Sequence, residues 1–228
     1  MDGYDQSDPH RHANLDLHPV RPRRNPHRLR TRHHRLPRLD VRDVRAARSL
    51  PARLVEYVGP PLLDSLQQFA GLTEAEARDA LTVYRASYHE HGAFDSAVFP
   101  GIRGLLSRLN EAGIPLAVAT SKPELQAKRI LEHFDLARHF DVIAGATEDE
   151  SRSAKSEVVA EALRRLTEQG VDLAQTVMVG DRAFDVEGAA ENGLPTILVE
   201  WGYGSPAEAV GAIAVVHSTD QLSSLLLG

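Results

Sequence analysis

The sequence contains no cysteine, which removes disulfide frameworks, thiolate metal sites and cysteine nucleophiles from consideration. It also lacks any apolar run near the roughly 18 residues that a bilayer crossing needs. The opening Met1-Asp2-Gly3-Tyr4-Asp5 shows no basic stretch followed by an apolar one, so no secretory signal is read there, and a cytoplasmic protein is expected. Lysine is missing from residues 1–53, which instead carry 13 Arg and 6 Asp, a balance of +7. Residues 54–228 hold 13 Lys and Arg against 26 Asp and Glu, a balance of -13. Aromatic residues are nearly missing from the first segment too, Tyr4 alone being present, whereas 6 of the 11 His and 6 of the 13 Pro fall there.

An arginine-rich arm suggests nucleic-acid phosphates as partners. Without aromatic side chains, base stacking has little support, so nucleic acid is disfavoured and a solvated tail is the better reading of that segment. His33-His34 has no partnered ligand spacing. What is present is 42% apolar residues in 228, enough for a real hydrophobic core and suited to one domain or a core with a small appendage.

Residues 1–53 show no sustained period, and Pro19, Pro22, Pro26 and Pro37 interrupt most helices. From Tyr57 the texture is regular. Residues 61–70 and 73–91 read as two helices, the second started by Thr73 ahead of Glu74 and Glu76. After the turn Phe99-Pro100-Gly101 a helix carries Ile102, Leu105, Leu106 and Leu109 on one face. Strand and helix then alternate: strands at 114–119, 142–144, 176–179 and 196–199, helices at 124–134 and 156–169, and another helix before Gly193. Such alternation predicts an α/β fold with a parallel sheet and helices on both faces.

Ligands bind such sheets outside the carboxyl ends of the strands. Val177-Met178-Val179-Gly180-Asp181 runs an apolar strand into Asp181, with Asp185 four residues on. That spacing lets two carboxylates face one point, which suits a hard cation such as Mg2+. A lone Asp after a strand is more often a turn or helix cap; the full Gly-Asp-x-x-x-Asp is more specific. Leu116–Ala119 leads into Thr120-Ser121-Lys122-Pro123, whose hydroxyls and N–H groups can meet phosphate, although on its own an ordinary strand-to-helix cap is the favoured explanation. Lys155 enters a helix start, where a cation opposes the macrodipole, which favours a role with an anion.

Taken together and in order, these segments resemble the second, third and fourth motifs of the haloacid dehalogenase superfamily, above all its phosphoglycolate phosphatase and 5′-nucleotidase-like members. Val58-Gly59-Pro60-Pro61-Leu62, Phe99-Pro100-Gly101, Ala119–Pro123, Ser153-Ala154-Lys155, Val179–Arg182 and Trp201-Gly202-Tyr203-Gly204 carry the resemblance, which spans about 57–228. It implies a Rossmann-like core at 97–228 and a small helical cap at 56–96. It also implies a phosphate site at Thr120, Ser121 and Lys155, Mg2+ held by Asp181 and Asp185, and hydrolysis of small phosphomonoesters such as phosphoglycolate or a nucleoside monophosphate. No membrane partner is expected.

The family mechanism further needs an Asp nucleophile and a second Asp two residues later, from an Asp-x-Asp-Gly-Thr motif after the first strand. This sequence contains no Asp-x-Asp. Asp40 and Asp43 lack the spacing and the preceding apolar strand. The nucleophile and general acid are therefore not found, and catalysis is expected to be impaired. The alternatives are a non-catalytic protein that binds phosphate and Mg2+, or a nucleic-acid-binding protein using the arginine-rich arm.

The run Val20-Arg21-Pro22-Arg23-Arg24-Asn25-Pro26-His27-Arg28 bears on the missing motif. With CGN arginine codons, triplets begun at the second base read TNC, GNC, CNC, GNC, GNA, AYC, CNC, AYC and GNC. These can encode Phe-Asp-Leu-Asp-Gly-Thr-Leu-Thr-Asp, and Leu29–His34 permits Ser-Ala-Pro-Gly-Ile after it, both in family form. Residues from about 14 to 54 thus read as an out-of-frame translation, with the segment 1–55 atypical and poorly ordered. The first central strand is expected to be missing or replaced; residues 14–20 are the available substitute, and Pro19 argues against a good strand there.

Overall fold

The computed structural model describes residues 13–15, 20–22, 61–87 and 96–228. The expected disorder of segment 1–55 therefore lies almost wholly outside the described residues. A six-stranded parallel sheet forms the centre, in the order β5-β4-β1-β6-β7-β8. Its strands are β1 (Ala13–Leu15), β4 (Leu116–Pro123), β5 (Val142–Ala146), β6 (Val177–Gly180), β7 (Thr196–Val199) and β8 (Ala214–Val216). The short antiparallel pair β2 (Val20–Pro22) and β3 (Ser96–Val98) stands apart from it. The helices are α1 (Leu62–Ala70), α2 (Glu74–Ser87), α3 (Ile102–Glu111), α4 (Glu124–His133), α5 (Lys155–Glu168), α6 (Ala183–Glu191) and α7 (Thr219–Leu227).

The alternation of side chains along the strands builds two cores. Leu116 and Val118 of β4 and Val177 and Val179 of β6 point to one face, against Leu105, Leu106 and Leu109 of α3 and Leu222 and Leu226 of α7. Ala117 and Ala119 of β4 and Met178 of β6 point to the other, against Val158, Val159, Ala162 and Leu166 of α5. This is the period-two pattern of a sheet buried on both faces. Small residues at 117 and 119 leave room for the α5 valines. Each fully buried Leu here contributes about 1.5–3 kcal/mol through burial. A third cluster, Leu63, Ala77 and Leu81 with Leu62, Leu66 and Leu72, packs α1 against α2. Thr73 starts α2 as expected: its N–H donates to Glu76 at 2.8 Å while the Glu76 N–H approaches its hydroxyl at 3.5 Å, a reciprocal cap.

The central place in the sheet is filled. Ala13–Leu15 lies parallel between β4 and β6, with Asn14 opposite Ala117 and Met178. The expected first strand is thus replaced by three residues. Pro19, which counted against a strand here, lies outside the described residues, and Pro22 sits at the end of a two-stranded ribbon, where proline is tolerated. Two further departures concern boundaries. β4 runs to Pro123 rather than ending at Ala119, since its pairing with β5 continues past a register shift between Thr120 and Pro123. β8, at three residues, is too short for periodicity to reveal, and α7 is a further helix that the sequence reading did not include; Ser218 caps α7 by accepting the Gln221 N–H at 3.2 Å. No described helix is long and apolar enough to cross a membrane.

Candidate active site at the carboxyl ends of the central strands

β4 and β6 flank β1, and both end on the same edge of the sheet. Asp181, the first residue beyond β6, is 2% exposed. Its Oδ2 accepts the Tyr203 N–H at 2.6 Å, whereas its Oδ1 is buried with no hydrogen-bond partner among the described residues. Burial, and then the nearby Asp185 carboxylate, push the Asp181 carboxyl up to about 6, against the Tyr203 N–H and the Lys155 and Arg182 cations.

Asp185, in the first turn of α6, is equally buried. Its Oδ2 accepts the N–H groups of Asp181 at 2.9 Å and Arg182 at 3.0 Å. Its Oδ1 pairs with Lys155 Nζ at 3.0 Å. One carboxylate thus fixes the turn that presents Asp181 and also holds the cation opposite. Lys155 is the first residue of α5 and is 8% exposed. Its ammonium also donates to the Ala119 carbonyl at 3.3 Å, which ties α5 to β4 one residue before Thr120. The helix start that disfavours a cation locally therefore places it between Asp185 and the β4 terminus.

Thr120 is buried, and its Oγ1 accepts the Lys122 N–H at 3.3 Å. The neighbouring Ser121 Oγ is buried without a partner among the described residues. All five residues singled out in the sequence, Thr120, Ser121, Lys155, Asp181 and Asp185, thus lie on elements that end at this edge. The close packing explains two glycines. A Cβ on Gly180 would stand 2.3 Å from Asp185 Cβ, and one on Gly202 would stand 2.1 Å from Asp181 Oδ2, so the Trp201–Gly204 segment lies directly against the Asp181 carboxylate.

Sequence reasoning missed the supports of this edge. Glu208 accepts Arg182 Nε at 2.8 Å, the Ala183 N–H at 3.0 Å and the Ser205 N–H at 3.0 Å, fastening the segment after β7 to the Asp181 turn. Glu124, which opens α4 directly after the Thr120–Pro123 segment, takes a two-pronged contact from Arg165 at 3.1 and 2.9 Å. Arg152 reaches the same carboxylate at 3.4 Å and donates to the Gly145 carbonyl at 3.2 Å. These partners are 28 to 41 residues from Glu124 in sequence, beyond any local spacing rule.

For a hard cation, Asp181 Oδ1 is the fitting donor: a buried carboxylate oxygen with its proton affinity raised and no hydrogen bond to satisfy it. The described oxygens of Asp185 already receive N–H groups and an ammonium. Among the described residues there is no group of three or more His, Cys, Asp or Glu that could hold a metal.

A family model for haloacid dehalogenase-like hydrolases matches residues 45–199. The chain belongs to that family. Its core is similar in sequence to a 5′-nucleotidase from Pseudomonas aeruginosa, 40% identical over 157 residues that make up 69% of this chain and 70% of the relative. The tyrosine-protein kinase PtkA of Mycobacterium tuberculosis is 49% identical over 147 residues, 64% of this chain and 49% of the relative; the chain thus spans about half the length of these mycobacterial relatives. Other similar proteins are named phosphoglycolate phosphatase and pyrophosphatase. Among solved structures, a predicted phosphatase from Clostridium acetobutylicum superposes with a TM-score of 0.73 at 39% identity, covering 77% of this chain and 81% of that one. The family match embraces all five site residues of this haloacid dehalogenase-like chain.

Proposed function

We propose that the chain carries the phosphate and Mg2+ site of a small-molecule phosphomonoester hydrolase, and that in the sequence as written the covalent step is severely impaired. The observation that supports this most is the buried Lys155–Asp185 pair beside the unpartnered Asp181 oxygen. A cation and a metal-seeking carboxylate sit together at an edge that also presents Thr120 and Ser121. In this reading Lys155 attracts and orients a phosphoryl group. The Thr120 and Ser121 hydroxyls donate to its oxygens, where fixed donors are worth most because water is excluded. Asp181 would hold Mg2+, with Asp185 positioning the Asp181 turn and Lys155. The ion, when bound, would neutralise charge on the phosphoryl group. The substrate class is that of the similar proteins' printed names, a phosphoglycolate-like or nucleoside monophosphate ester.

The attacking carboxylate is what the sequence as written does not supply in family form. Asp16 follows β1 directly in sequence but is succeeded by Leu17-His18 rather than by a second acid at position 18, and it lies outside the described residues. The deciding assay measures Mg2+-dependent hydrolysis of p-nitrophenyl phosphate and of small phosphate esters. It compares the chain as written, its Asp16→Asn variant, and a version with the second frame restored across residues 14–54. Loss of the nucleophile predicts turnover lower on the order of 10³-fold or more in the chain as written, and no change with Asp16→Asn. Equal turnover by the written and restored chains would refute the impairment. Activity of the written chain abolished by Asp16→Asn would move the nucleophile to Asp16.

A further inference from the structure

The loop between β5 and α5, residues 147–154, leads directly into Lys155, and the helical pair α1–α2 reaches it. Arg85, near the end of α2, donates through Nη1 to the Glu148 carbonyl at 2.8 Å, and its Nη2 pairs with the Glu150 carboxylate. Both side chains are largely buried, 18% and 10% exposed, unlike an ordinary surface ion pair. Glu150 adopts φ +63, a left-handed backbone that residues other than Gly, Asn or Asp seldom take and that is strained for a glutamate. The surrounding loop holds that conformation. The Glu150 N–H donates to the Thr147 carbonyl at 3.2 Å, the Thr147 N–H donates to the Arg152 carbonyl at 2.9 Å, and Asp149 accepts the Ser151 N–H at 3.1 Å. Asp64 of α1 and Ser153 of the loop also face the Glu150 carboxylate.

A strained acidic residue whose carboxylate is largely buried against one guanidinium of α2 is an arrangement that a solvated turn does not require. We infer that Arg85 and Glu150 form a latch that seats the α1–α2 pair over the loop feeding Lys155, so that seating these helices and ordering the Lys155 loop are one event. The inference rests on the phosphate-site reading only for its purpose, since the latch itself is a statement about two residues. It makes Arg85 and Glu150 positioning residues that act on an incoming phosphate through Lys155.

Hydrogen exchange followed by mass spectrometry on the chain as written tests the latch. Arg85→Met keeps the aliphatic stem and removes the guanidinium; Glu150→Gly removes the carboxylate while suiting the backbone. Each is expected to speed exchange in residues 62–87 about tenfold, with the amides of β4 and β6 unchanged. The double variant should do no more than Arg85→Met, because that variant already removes both guanidinium contacts, the one to Glu150 included. The effect is measured on the helices, because glycine at position 150 loosens its own loop whatever the latch does. Unchanged exchange in residues 62–87, or single effects that add in the double variant, overturns the latch. A second arm adds inorganic phosphate with Mg2+ to the unmodified chain and to Arg85→Met. Protection of residues 147–155 that is weaker in the variant supports coupling to Lys155; equal protection in both overturns it. Absence of any phosphate response contradicts the phosphate site, while the exchange rates of residues 62–87 in the first arm still support or overturn the latch.

Discussion

Replacing Asp181 by Asn removes a buried carboxylate that, alone among the described residues, combines a raised proton affinity with an oxygen that has no hydrogen-bond partner. A rise from 3.8 to about 6 means that the native state holds this proton more tightly than the unfolded chain does. Below about pH 4 both states are protonated and no penalty exists. Between about pH 4 and 6 the native state binds more protons, so stability falls as pH rises, and above about 6 the full penalty applies. Two units correspond to about 3 kcal/mol. The Asn carbonyl oxygen can still accept the Tyr203 N–H, whereas its amide gains a donor in a buried place, costing ~1–2 kcal/mol. The net expectation is that Asp181→Asn stabilises the metal-free protein by about 1–2 kcal/mol at pH about 7.5, roughly 2–8 °C in midpoint for a chain of this size. Thermal melts in EDTA should show this gain at pH about 7.5 and lose it at about 4. Excess Mg2+ should raise the melting temperature of the unmodified chain above pH about 6 and leave the variant unmoved. An Asn variant less stable than its parent at pH about 7.5, or one that responds equally to Mg2+, would refute this reasoning.

Lys155→Met should destabilise by about 3–5 kcal/mol, read in urea denaturation, because it leaves the buried Asp185 carboxylate without its cation; a cost below about 1 kcal/mol contradicts the pairing. Combining it with Asp185→Asn should recover much of that loss. Gly202→Ala places a Cβ 2.1 Å from Asp181 Oδ2, too close for that carboxylate to keep its place, so the Mg2+-dependent rise in melting temperature should vanish, while circular dichroism shows the sheet retained.

The architecture was legible where the chain repeats a pattern. Ile102, Leu105, Leu106 and Leu109 marked α3, and Val158, Val159, Ala162, Leu163 and Leu166 marked α5, because a buried helical face must recur at helical spacing; of these, Leu163 is only partly buried. Site residues were legible for related reasons: Thr120 and Asp181 sit where an apolar strand gives way to a polar group, and Lys155 stands as a cation at a helix start. The locking geometry was not. That Asp185 serves the Lys155 ammonium and two N–H groups at once, that Glu208 staples the Asp181 turn, and that Glu124 gathers Arg152 and Arg165 depend on which loops the sheet brings together. β1 was legible only as the substitute that residues 14–20 offered, because three residues carry no period; its place is defined by pairing with β4 and β6 on both sides.

The central claim is that a haloacid dehalogenase-like site survives here while its attacking motif has left the reading frame. Reading the coding DNA through codons 14 to 58 tests this most directly. The account predicts that the second frame beneath residues 20–28 spells Phe-Asp-Leu-Asp-Gly-Thr, with the frame returning before Val58. A second frame without that motif would contradict it.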